Sequence, residues 1–341
     1  MAAKQPSTKA KAWVLFDQIV SLAAPKGKHT NPWVKYPNGQ LFFEPDYNTL
    51  AQLLGVPLYL KAGTQSGVPA LALDVWLSYE LRRAGFESDQ VWPRPIHPRI
   101  LPAPVAAFLR SLPQDLKTTL ADRVKTQASI PGVTSSSASI LGKNYLKQVD
   151  VIMTDWATGP ELLISTKRMD SSYGKNAPNR IEESYGDAKN LRLRHPLAAL
   201  GFVFGLRSDI LHKEPAVADW LFDLLAKLGQ EDDAYHATSL VLMEYGDDVA
   251  INNAGEEIPA DGVPEPGPEL NEGEETPAVT PQSLIDYEIS QLPKVRVLTE
   301  KTPDELSPGR FLAAMVTRVL STTPVNMHKE ARLRRISPEL R

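Results

Sequence analysis

Apolar positions recur along the chain with two periods, and each period marks its own elements. Over residues 8–24, Trp13, Leu15, Phe16, Ile19, Val20 and Ala23 fall at helical spacing. The stretch LALDVWLSYELRRAGF (71–86) repeats the pattern with Leu71, Leu73, Val75, Trp76, Leu81 and Ala84, and Gly85 supplies a C-terminal stop. Shorter helices are expected near 46–54 and twice between 104 and 125. Longer ones are expected at 176–195 (beginning after Pro178), 215–229 and 307–321. In QVDVIMTD (148–155) the period drops to two. ATG then makes a turn into PELLISTK (160–167), a short apolar run of strand length. AALGFVFGLR (198–207) and ATSLVLMEY (237–245) read as two further strands. Residues 24–40, rich in Pro, Gly and Asn, and 92–103, rich in Pro, read as connectors.

The order helix–β–β–helix–β–helix–β implies an α/β fold around a mixed sheet of four to five strands, flanked by helices. Four regions are expected: an N-terminal helical region (1–66), a core (67–250) with a helical insertion (92–140), an acidic insertion (251–282) and a C-terminal helical region packing on the core (283–341).

Composition sharpens this reading in three places. At 42% hydrophobic and 23% charged, the 341-residue chain has the make-up of a globular protein. No apolar run approaches the roughly 18 residues that span a bilayer, and the N-terminus lacks a signal-peptide pattern. A cytoplasmic protein with no membrane partner is therefore expected. With no cysteine, disulfides, thiolate zinc sites and cysteine nucleophiles are excluded. The net charge of −4 hides an asymmetry. Residues 251–281 carry eight acids, six prolines and no Lys or Arg, which leaves +4 for the rest of the chain. Such a segment buries too little apolar surface to offset its ordering entropy, so disorder is expected there. The mildly basic remainder is compatible with a polyanionic partner.

The candidate chemistry lies in the first hairpin. Asp150 opens one strand, and the next ends on Ser165-Thr166-Lys167. Side chains alternate along a strand, so Ser165 and Lys167 share a face. A carboxylate there suits a hard cation such as Mg²⁺, and an adjacent ammonium suits charge developing on a phosphate. The arrangement resembles the PD-(D/E)xK nuclease superfamily, of restriction-endonuclease-like fold. The residues that carry the resemblance are Asp150 in VDV and Lys167 closing LLISTK, with LALDVWLSYELRRAGF as the opening helix.

The resemblance implies a Mg²⁺-dependent endonuclease, with Mn²⁺ able to substitute, acting on double-stranded DNA in restriction or anti-phage defence. It implies catalytic roles for Asp150 and Lys167, and accessory acids at Asp74 or Glu80. The middle acid of the motif is Ser165 here, left to hydrogen-bond behind the metal. The missing carboxylate is then expected from the following helix, where Arg180, Glu183 and Asp187 share a face and Glu182 lies beside them. Asp150 and Glu183 are the expected metal ligands. Arg168, Lys175 and Arg180 are expected to touch the DNA backbone from a loop. A homodimer, or a partner methyltransferase or defence subunit, fits that setting.

Plainer readings stand beside these. Glu182 and Glu183 also read as a solvated helix face, Asp74 and Glu80 as surface charges, and 167–180 as an ordinary loop. His97, His195 and His236 read as structural. A decayed, non-catalytic DNA-binding or assembly subunit and a structure-specific repair nuclease are the alternative functions.

Overall fold

The computed structural model describes residues 6–126, 138–230, 234–249 and 280–340. Residues 251–279 of the expected acidic insertion and 134–137 of the serine-rich stretch lie outside them.

In chain order the elements begin with α1 (Thr8–Ala23), β1 (Trp33–Lys35), β2 (Leu41–Phe43), α2 (Tyr47–Tyr59), α3 (Val68–Arg83) and β3 (Val91–Trp92). There follow α4 (Ala103–Ser111), α5 (Gln114–Thr126), β4 (Ser139–Leu141), β5 (Leu146–Gln148), β6 (Val151–Asp155) and β7 (Gly159–Met169). Next come α6 (Tyr173–Arg192), β8 (Ala199–Arg207), α7 (Ile210–Lys213), α8 (Pro215–Leu228) and β9 (Ala237–Glu244). The chain closes with α9 (Gln282–Ser290), β10 (Arg296–Val297), α10 (Pro308–Thr322), α11 (Lys329–Ile336) and β11 (Glu339–Leu340).

The central sheet is mixed, in the order β10-β9-β8-β7-β6-β3. Strands β7, β8 and β9 run parallel, while β3, β6 and β10 are antiparallel to their neighbours. It has six strands, not the four to five expected. The additional edge strands β3 and β10 are two residues each, too short to carry any periodicity.

Alternation along the strands builds two cores. Val151, Met153, Leu162, Ile164, Val203 and Met243 face Leu73, Trp76 and Leu77 of α3 and Phe311, Leu312 and Met315 of α10. On the other face Ile152, Leu163, Phe202, Phe204 and Leu242 meet Ala177, Ile181 and Leu191 of α6 and Leu221 and Leu225 of α8. The helices of the 1–66 and 283–341 regions pack within the first of these cores, α1, α2 and α10 against α3 and α9 against α1.

Close approach is built in at Gly201, where a Cβ would meet the Phe311 ring at 2.6 Å. Gly85 ends α3 at φ +101°, a conformation open to glycine, and its Cα faces the α11 backbone so closely that a Cβ would lie 2.8 Å from Ala331. Among the described residues no helix is long and apolar enough to cross a membrane.

One boundary differs in a way that matters. Helix α6 starts at Tyr173, five residues before Pro178, and not after it. Buried Tyr173 anchors the start through its hydroxyl, which donates to Asp170 O at 3.0 Å and also bonds the Asp209 carboxylate. Glu214 accepts the Gly174 N–H at 2.8 Å. With its N-terminus tied down, the helix tolerates the N–H that Pro178 lacks.

Candidate functional site

The site forms where the main sheet forks. Strand β6 pairs with β7 only as far as Val151 opposite Ile164. Upstream the chain leaves the sheet and pairs with itself, as the β4–β5 hairpin. Strand β7 runs on, paired to β8 as far as Met169, so among the described residues no strand pairs with its other edge from Ser165 onward. Asp150 stands at the branch. Its Oδ2 accepts the Thr166 N–H at 2.8 Å, in place of the ladder bond that β6 no longer offers.

Alternation then assigns the residues of β7. Thr166 and Arg168 face α3, and Ser165 and Lys167 face α6. Thr166 Oγ1 donates to Asp74 Oδ1 at 2.5 Å, so a single threonine serves both acids, by its amide and by its hydroxyl. Burial, and next the charge of Asp150, hold the Asp74 carboxyl well above the ordinary carboxylate range. Burial also raises Asp150, offset in part by the Thr166 N–H, Lys167 and Lys147. Two neighbouring carboxylates whose burial disfavours the charged form are a place for a proton or a cation.

On the α6 side, Lys167 Nζ lies 3.0 Å from Glu183 Oε1, and Arg180 holds the other oxygen at 3.0 Å. Burial would raise Glu183, but Lys167, Lys147 and Arg180 together pull its carboxyl below the ordinary value. Asp187, one turn on and buried, takes Lys147 Nζ at 2.7 Å and accepts the Tyr145 hydroxyl at 3.1 Å. Ser165 hydrogen-bonds the Tyr235 hydroxyl, which itself donates to Ser184 O at 2.8 Å. Burial and then Asp187, Asp150 and Glu183 push the Tyr235 phenol up. Around Ser165 and the Tyr235 hydroxyl, then, stand three carboxylates from other elements.

The structure thus brings together Asp74, Asp150, Ser165, Lys167, Arg180 and Glu183. Four expected site residues fall elsewhere. Glu80 is fully buried six residues along α3 from Asp74, about 9 Å by helical rise. It pairs with Arg83 at 2.7 Å and accepts the Asp46 N–H, which locks α3 to the start of α2. Glu182 points to solvent, rotated about 100° from Glu183. Arg168 is not on a loop facing DNA. It is buried within β7, bonded through two nitrogens to Asp170 at 2.8 and 2.7 Å, and Tyr245 donates to the same carboxylate. Lys175 is exposed in the first turn of α6, away from the fork.

Sequence reasoning did not single out Lys147 or Tyr145 at all, and it gave Asp187 no role. The i, i+4 spacing of Glu183 and Asp187 on one helix face was the available signal for Asp187. Lys147 sits in a three-residue strand with no pattern to flag it.

The donors suit a hard divalent ion. Asp74 and Asp150 offer carboxylate oxygens, with neither Cys nor His among their partners, and Mg²⁺ is commonly held by one or two carboxylates plus water. Among the described residues, no group of three or more His, Cys, Asp or Glu side chains is arranged to hold a metal ion. No protein family, curated protein or solved structure matches the chain.

Proposed function

We propose that the chain is a Mg²⁺-dependent DNA endonuclease of restriction-endonuclease-like fold, acting on double-stranded DNA in restriction or phage defence. The observation that carries this reading is the branch point itself. Asp150 is fixed by the Thr166 amide, Asp74 by the Thr166 hydroxyl, and Lys167 projects from the next position of the same strand.

In this reading Asp74 and Asp150 would hold the cation, rather than the expected pair Asp150 and Glu183, because Lys167 and Arg180 already occupy the two Glu183 oxygens. A bound Mg²⁺ or Mn²⁺ supplies charge for the phosphate oxygens and lowers the pKa of water. Lys167 donates to a non-bridging phosphate oxygen and offsets the charge that grows there during in-line displacement. Glu183 orients Lys167 from α6. Ser165 and Tyr235 close the floor behind it.

Supercoiled plasmid gives the test. Nicking or linearisation is expected with Mg²⁺ or Mn²⁺ and not with EDTA. Lys167→Ala and Asp150→Asn are each expected to lower it by at least about 10²-fold. Cleavage in chelator, or a folded Lys167→Ala protein of normal activity, refutes the reading.

A second reading has its own observation. Ser165 stands in for an acid, and Glu183 and Asp187 already neutralise Lys147, Lys167 and Arg180. That balance also suits a non-catalytic DNA-binding subunit. Duplex binding without cleavage under any divalent ion selects it.

A further inference from the structure

The β4–β5 hairpin has no part in the central sheet, yet it is held against α6 with unusual care. Asn190 makes the clamp. Its side-chain carbonyl accepts the Asn144 N–H at 2.8 Å and the Tyr145 N–H at 3.4 Å, and its amide donates to Tyr145 O at 3.1 Å. Its main-chain carbonyl accepts the Lys143 N–H at 2.8 Å. Gly142 lies so close to that amide that a Cβ would come within 2.2 Å of it. Register then decides which side chains face the site. Leu141 pairs with Leu146, and both are exposed on the outer face. Ile140 pairs with Lys147 on the inner face, where Ile140 packs on the α6 core.

The clamp places the Lys147 ammonium 2.7 Å from Asp187 Oδ2 and 3.4 Å from Glu183 Oε1. Glu183 Oε1 is also the oxygen that Lys167 contacts at 3.0 Å. The two ammonium groups share one acceptor atom, so they are near enough to share one phosphate through charge-assisted bonds of about 2.7–2.9 Å. They have the same partial exposure and open onto the same edge of β7. Burial works against the charged form of Lys147, but Asp187 and Glu183 more than compensate, and the amine stays protonated. A lysine ammonium has three N–H donors. Among the described residues, Lys147 spends its donors on Asp187 and Glu183 alone.

We infer that Lys147 is a substrate-binding residue, carried by the hairpin to grip the same backbone phosphate of duplex DNA that Lys167 engages. The inference rests on the nuclease reading for its substrate, but it does not need cleavage. Glu183 and Asp187 are the resting partners of the two lysines, and the incoming phosphate takes over as acceptor.

Equilibrium binding of a fluorescein-labelled duplex of about 20 base pairs, in EDTA, across a salt series tests it. Lys147→Ala is expected to raise Kd about 5- to 10-fold and to reduce the slope of log Kd against log salt by about 1, as for loss of one phosphate contact. Lys147→Arg is expected to restore the slope. Lys143→Ala removes the same charge from the exposed turn of the same hairpin and is expected to change the slope less. If Lys147→Ala folds poorly, Lys147→Ala/Asp187→Asn removes both charges of the pair and is expected to show the same loss of slope. A purely structural lysine would move the melting temperature and leave the slope unchanged.

Wild-type Kd and slope in the folded variants overturn the inference, as does an effect no larger than that of Lys143→Ala. Lys147-dependent binding with no cleavage upholds it and sinks the nuclease reading. Cleavage lost in Lys167→Ala, with binding indifferent to Lys147, does the reverse. Failure of the wild-type protein to bind duplex overturns both.

Discussion

Replacing Asp74 by asparagine is expected to stabilise the protein. The buried Asp74 carboxyl faces Asp150, and burial together with that charge holds it well above the usual value of 3.8. The native state therefore keeps a proton that the unfolded chain releases. Stability is greatest below pH 3.8 and falls as pH rises through the native pKa. Each unit of elevation costs about 1.4 kcal/mol once the pH is above both values. Asparagine has the same shape and still offers an oxygen to the Thr166 hydroxyl, so the variant loses the penalty and keeps the bond. One unit alone is about 1.4 kcal/mol, or a rise in Tm of roughly 2 °C for a chain of this size.

Calorimetry in EDTA at pH 5 and pH 8 is the assay. The advantage of Asp74→Asn should be larger at pH 8. Added Mg²⁺ should raise the Tm of the wild type and leave the variant unmoved, because the proposed site needs both carboxylates and the variant has one. A variant that melts below wild type at both pH values would refute the account of a strained acid pair. An equal response of both proteins to Mg²⁺ would refute Asp74 as a ligand.

Three other outcomes follow from the same contacts. Glu183→Gln should keep the fold and lower kcat of the proposed cleavage about 10- to 100-fold, since Lys167 loses its charged anchor; unchanged kcat removes Glu183 from the site. Glu80, raised to about 7 by its burial against the pull of Arg83, keeps its proton at low pH. The stability it contributes should fade as pH climbs from 4.5 through 7. Relative to Glu80→Gln, the wild type should lose about 3 kcal/mol across that window in urea titrations, and parallel pH profiles would exclude the assignment. Asn190→Ala should lower stability by about 1–3 kcal/mol through its lost hairpin bonds and speed hydrogen exchange at Asn144 and Tyr145; protection as in the wild type would show that the clamp is idle.

What the sequence made legible follows from length and regularity. Helices α1, α3, α8 and α10 and strands β6 to β9 repeat their apolar spacing over enough residues to be read, and each lies within a few residues of its expected bounds. Strands β3 and β10 have two residues apiece and exist only because β6 and β9 offer them an edge. The start of α6 was hidden because Pro178 is a strong local stop signal, while the anchors that override it, Asp209 and Glu214, lie far along the chain. At the site, period-two alternation sorted Ser165 and Lys167 onto one face without any structure. It could equally have turned Arg168 inward, since Arg168 shares the face of Thr166. Its partner Asp170 is two residues away, but the closing bond from Tyr245 crosses the sheet. Asp74 and Glu80 looked alike in sequence. Only the direction in which each leaves α3 separates an acid beside Asp150 from one clasped by Arg83.

The fork in the sheet also dictates an order of assembly. Asp150 and Lys167 belong to one antiparallel hairpin, the kind of unit that closes in about 1–10 μs. Asp74 reaches Thr166 across 92 residues of chain, a closure whose entropic cost is about 4 kcal/mol by the logarithmic law. Glu183 and Asp187 take up their posts only when α6 has crossed over to set β8 beside β7. A half-folded chain that has closed only this hairpin therefore holds the lysine and one acid without the groups that complete them. Competence then requires both the docking of α3 and the crossover of α6, together with the native topology. For a protein proposed to cut DNA, this timing is a safeguard written into the connectivity itself.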